Sequence, residues 1–67
     1  MTNSKLLKGK IVENGFIQES LAKELGISPK TLNYKLVGKR EFKESEITKL
    51  KDALHLTKDE IFKIFFT

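Results

Sequence analysis

The sequence contains no cysteine, a single histidine and a single proline. Without cysteine, neither a disulfide framework nor a thiolate metal site can be built. One histidine among scattered carboxylates does not make a recognisable catalytic set, and so short a chain has little space for a closed pocket. No enzyme activity, cofactor, metal site or small-molecule ligand is therefore expected. No stretch approaches the roughly 18 consecutive apolar residues that a membrane span requires. A secretory leader, internal repeats and low-complexity tracts are not visible either. The apolar residues never alternate at period two over a useful length, which argues against strands.

What is present fits one small globular domain spanning 1–67. Apolar residues make up 39% and charged residues 33%. A chain this short buries only about 60% of its unfolded surface, so its stability is marginal unless packing is efficient or a partner helps. Lysine and arginine number 13 against 9 acidic residues, a net charge of +4. The excess is local. Lys30, Lys35, Lys39, Arg40 and Lys43 face only Glu41 between positions 30 and 43, and the rest of the chain is neutral. A neutral body with one basic stretch is the footprint of a polyanion site, although a solvated, solubilising lysine face has the same composition.

Apolar residues recur three or four apart, which predicts five short helices joined by short turns, an all-α bundle. The first runs from about Ser4 to Asn14 around Leu7 and Ile11, and Asn14-Gly15 stops it because both residues tolerate positive φ. The second runs from about Gln18 to Leu25, burying Leu21, Ala22 and Leu25, with Gly26 in the expected C′ position. Ser28 caps the third helix, Pro29 occupies its first position and Gly38 ends it; Leu32 and Leu36 form its buried pair. Phe42 returns to the core. The fourth helix spans about Glu44 to Leu54 and buries Ile47, Leu50 and Leu54. The fifth opens with the capping box Thr57-Lys58-Asp59-Glu60 and continues through Ile61, Ile64 and Phe65.

The second and third helices carry the informative pattern. A small Ala22 permits a close helix crossing, Gly26 permits a tight turn, and Leu32 and Leu36 fasten the third helix to the core: a helix-turn-helix. The run QESLAKELGISPKTLNYKLVGKR, Gln18 to Arg40, resembles the lambda-repressor-like helix-turn-helix family that includes Cro and the CI repressors. Gln18, Ala22, Gly26 and Leu32 match that family's pattern, and LKDALHLTKDEI, Leu50 to Ile61, looks like its junction between the fourth and fifth helices. KLVGKREFKESEI with the terminal IFKIFF looks most like small phage and prophage regulators. Three positions depart from the pattern. Ile17 replaces the usual capping residue, a loss of about 1 kcal/mol. Lys35 stands where many members are apolar, with Leu36 taking over the packing. Val37 replaces an asparagine that touches the DNA backbone in many members.

The helix period places Lys30, Thr31 and Tyr34 opposite Leu32 and Leu36, with Asn33 and Lys35 on the flanks. The resemblance independently implies base contact at Pro29, Lys30 and Tyr34. Lysine can donate to guanine, asparagine can pair with adenine, and threonine can hydrogen-bond or touch a thymine methyl. Pro29, Lys30, Thr31, Asn33 and Tyr34 are thus the candidate base contacts. The bland alternative is the solvated side of an amphipathic helix. Gln18 is the phosphate contact implied by the resemblance; Ser28, Lys35, Lys39, Arg40 and Lys43 are further phosphate candidates.

His55 lies between the fourth and fifth helices, where the family often has glycine, and reads as a cap residue tolerating unusual φ. The fifth helix carries apolar residues over about 200° of its wheel, wider than the usual stripe of roughly 100°. Phe62 and Phe66 either cover a small core or form a two-fold dimer interface. The resulting expectation is a cytoplasmic, DNA-associated transcription regulator of a bacterial host cell, Cro-like or repressor-like. Its partner is double-stranded DNA, it is a possible homodimer, and no membrane contact or fused sensor domain is expected. The rival is a protein-interaction module, such as an antirepressor that keeps the fold and binds another regulator.

Overall fold

The computed structural model describes residues 2–66. Five helices follow one another: α1 (Ser4–Glu13), α2 (Gln18–Leu25), α3 (Pro29–Leu36), α4 (Glu44–Leu54) and α5 (Lys58–Phe65), and the described residues contain no strand. The boundaries follow from local chemistry. Asn3 caps α1 by accepting from the Leu6 N–H, Ser28 caps α3 by accepting from Thr31 N–H, and Thr57 caps α5 by accepting from Glu60 N–H. Asn14-Gly15 ends α1 as expected, with the positive φ falling on the glycine. Asn14 has φ −93°, Gly15 takes the left-handed turn at +78°, and the Asn14 side-chain amide donates to the Lys10 and Leu54 carbonyls. That bond ties the end of α1 to the end of α4. His55 ends α4 with φ +53° and ψ +46°, bearing out its reading as a left-handed cap residue.

The core draws on every helix. Leu7, Ile11, Leu21, Ala22, Leu25, Leu32, Leu36, Phe42, Leu50, Leu54, Leu56, Ile64 and Phe65 are buried together. Removing each large aliphatic side chain from water contributes roughly 1.5–3 kcal/mol. Ile47 and Ile61 are only half-buried, and the core includes Leu56, a loop residue that periodicity did not mark. Phe42 meets Phe65 edge-to-face, with ring centroids 5.7 Å apart. α2 packs on α3 and α4, while α1 packs on α3 and α5. The amino-terminal segment is held at both ends of this arrangement. The Asn3 N–H donates to the Ile64 carbonyl at 2.6 Å, and the Ser4 hydroxyl donates to the Leu36 carbonyl. The second bond satisfies a carbonyl at the carboxyl end of α3 that the helix itself leaves open. α3 is thereby fixed along its inner side and at its end, leaving its other side to face solvent.

Candidate nucleic-acid interface

α2 and α3 are separated only by Gly26, Ile27 and Ser28. Gly26 adopts φ +74°, a conformation that a side chain would strain. The Ile27 N–H then donates to the Ala22 carbonyl and the Gly26 N–H to the Lys23 carbonyl, closing α2 tightly. Ala22 is buried in the core, and α2 packs on α3. Ser28 begins α3 with its hydroxyl donating to Thr31 Oγ1 at 2.9 Å while accepting from the Thr31 N–H at 3.1 Å. Thr31 is therefore half-buried and already engaged in the cap.

Leu32 and Leu36 are fully buried, so the sides of α3 are fixed. Pro29, Lys30 and Asn33 are exposed, and Tyr34 is half-buried. Tyr34 is flanked by two cations: the Lys30 ammonium lies 5.8 Å from the ring centroid and the Lys39 ammonium 5.4 Å. Both distances fall within cation–π range, worth about 0.5–1 kcal/mol at an exposed site. Lys30 reaches the ring as a neighbour one turn away on the same ridge. Lys39 reaches it because the chain reverses at Gly38, whose φ is +86°, and because the Lys39 N–H donates to the Tyr34 carbonyl at 2.9 Å. Lys39 thus joins Lys30 and Tyr34 on one face instead of standing apart beyond the helix.

Lys35 requires a correction. It does not lie free on the flank of α3 and is not available to a phosphate. Only 4% of it is exposed, and its ammonium is paired with Glu46 Oε1. The same oxygen accepts the Lys43 N–H at 2.8 Å. Burial pushes the Glu46 carboxyl up, but the bonds from Lys35 and from the Lys43 backbone outweigh it and hold the carboxyl below the usual glutamate range. With Lys35 neutralised, the exposed charge between positions 30 and 43 is Lys30, Lys39, Arg40 and Lys43 against Glu41, net +3. The signal for Lys35 was present in the sequence. On a 100° wheel it lies only 60° from Leu32. Glu46 falls in the first turn of α4, and its spacing three residues after Lys43 matches the acidic half of a capping box.

Gln18 is exposed at the start of α2. Ile17 before it offers no capping side chain, as expected. Ser20 partly compensates, accepting from the Ile17 N–H at 3.1 Å and donating to its carbonyl at 3.0 Å. Ile17 itself is 66% exposed, and Val12 and Val37 are exposed as well. Phe62 on α5 and Phe66 just past its end are 58% and 63% exposed and do not cover the core. Among the described residues, no group of three or more His, Cys, Asp or Glu is placed to hold a metal, and no helix is long and apolar enough to cross a membrane.

Two short helices joined by a three-residue turn, the second with an uncovered polar and basic side, define a small all-α helix-turn-helix protein. The chain belongs to the family described as protein of unknown function (DUF739), which matches residues 2–67. No curated protein matches it.

Proposed function

We propose that the protein is a sequence-specific double-stranded DNA-binding transcription regulator, Cro-like or repressor-like and of phage or prophage type, acting in the bacterial cytoplasm. α3 would enter the major groove. The observation that carries this reading is the outer side of α3. Its leucines are spent inward, and Lys30, Asn33 and Tyr34 with the returning Lys39 stand where a groove could admit them. Lys30 and Asn33 have the donors and acceptors for base edges, and Tyr34 can touch an edge or donate to a phosphate. Pro29 offers only apolar contact, and Thr31 is the weakest of the base candidates because its hydroxyl serves the cap. Gln18, Ser28, Lys39, Arg40 and Lys43 would meet phosphates, each neutralised phosphate adding about 0.9 to the salt slope.

The longest extent of the molecule is 27 Å. One turn of DNA is about 34 Å, so a single copy meets the groove once. A second copy packing on Phe62 and Phe66 would supply the other half-site of a pseudo-palindromic operator. Regulation would then work by occupancy, blocking polymerase or a competing regulator.

Selection of bound sites from a random duplex library tests the reading. The wild type should yield a consensus that changes with Lys30→Ala or Tyr34→Ala. An unchanged consensus moves base reading elsewhere, and no binding to random duplex at low salt removes the DNA reading. The antirepressor reading keeps a specific observation in its favour. Val12, Phe16 and Ile17 line an apolar cleft with Lys8, Gln18 and Leu36 beside the start of α2, where a phosphate contact gains nothing from exposed isoleucine. Failure at low salt would favour a protein partner on that cleft.

A further inference from the structure

The Lys35–Glu46 pair is expensive. Taking two charges out of water is costly, so a buried pair adds little net stability. Its effect on geometry is stronger, because a buried charge that loses its partner is severely destabilised and the arrangement tolerates little movement. What the pair joins is specific. Lys35 is in the last turn of α3, and Glu46 is the third residue of α4. Between them runs the connection 37–43, which presents Lys39, Arg40 and Lys43.

That connection has few other anchors. Gly38 and Lys39 hydrogen-bond back to the Lys35 and Tyr34 carbonyls, and Phe42 enters the core against Phe65. Arg40 and Glu41 are exposed between those points. Glu46 Oε1 holds the far end by taking the Lys43 N–H and the Lys35 ammonium together. One oxygen therefore couples the end of the groove-facing helix to the end of the basic connection. Neither partner is accessible enough to touch DNA.

We propose that Lys35 and Glu46 are positioning residues that fix the connection 37–43 against α3, so that Lys39 and Arg40 meet the phosphate chain in register with Lys30 and Tyr34. The proposal rests on the DNA-binding reading above and assigns a role to two residues that make no contact with the nucleic acid.

The test uses Lys35→Met with Glu46→Gln. Methionine fills the space without a charge, and glutamine retains an acceptor for the Lys43 N–H. Two readouts apply: the salt dependence of binding to a labelled random-sequence duplex, and amide exchange at residues 38–43 of the free protein relative to core amides of α4. In a variant that unfolds cooperatively, affinity at fixed salt should fall about tenfold. The salt slope should drop by about 0.9–1.8, the loss of one or two phosphate contacts, and exchange at 38–43 should outpace the core. A merely stabilising pair would leave the slope of the folded variant unchanged, and that result overturns the proposal, as does unchanged relative exchange. If the double variant does not fold, Lys35→Gln with Glu46→Gln, a neutral pair that leaves no unpaired buried charge and keeps the net charge, carries the same two readouts. Failure of the wild type to bind duplex sinks the DNA-binding reading and the phosphate register with it, whereas binding by both proteins with equal slopes sinks the positioning role alone.

Discussion

α3 and α5 are built alike and face solvent differently. Each has eight residues and begins with a hydroxyl cap, Ser28 in one and Thr57 in the other. Each seats large apolar side chains in the same core: Leu32 and Leu36 from α3, Ile64 with Phe65 from α5. Outwardly, α3 presents lysine, asparagine and a tyrosine flanked by two ammoniums, while α5 presents Phe62, with Phe66 exposed just past its end. The difference shows that the two sides of one helix answer to separate constraints. The inward side obeys packing, which any well-sized aliphatic satisfies. The outward side is free of that constraint, and under the function proposed above its chemistry would suit a polyanion on α3 and an apolar surface on α5.

The largest effects should come from the shared inward side. Leu32→Ala and Ile64→Ala should each destabilise the fold by about 2–5 kcal/mol in urea unfolding. Comparable losses sustain the equivalence of the two helices, and a loss confined to one breaks it. Acid should separate their amino-terminal turns. The cap of α3 is a pair of neutral hydroxyls. The cap of α5 includes Glu60, whose carboxyl is held below the usual range first by its bond to Lys10 and then by the Thr57 N–H. Glu46 is depressed as well. Groups with lowered folded values contribute stability that is present above the ordinary carboxylate value and is lost as pH falls through the folded one. The urea midpoint should therefore decline from about pH 5 downward. Glu60→Gln should shallow that decline, and amide shifts in the first turn of α5 should titrate while those of α3 stay fixed. The smallest change in stability should come from Phe62→Ser with Phe66→Ser, within about 0.5 kcal/mol for each exposed site. Sedimentation equilibrium of the same variant should nevertheless show a monomer where the wild type associates. A wild type that is monomeric at all concentrations would end the comparison's second half.

Much of the fold was legible because its determinants are local. Hydroxyl caps, the Pro29 start, Gly26 and Gly38 after their helices, and leucines at helical spacing act within a few residues of themselves, and all five helices follow from them. The outer side of α3 followed from the same period. Lys35 was misplaced because composition counts a lysine as solvated, whereas its wheel position carries it to the edge of the core and Glu46 lies there to receive it. Leu56 escapes a periodic reading because a loop has no period, and the contact of Lys39 with Tyr34 escapes it because a single reversal at Gly38 sends that side chain back to the ring.

The sequence by itself determined the helices, the turn between α2 and α3, and which side of α3 turns inward, since backbone preference and burial of apolar area act along the chain. Only the tertiary structure decided which of the five basic residues between positions 30 and 43 remain available. Solvation of a charge depends on neighbours eleven residues away, and those neighbours exist only once α3 and α4 have packed.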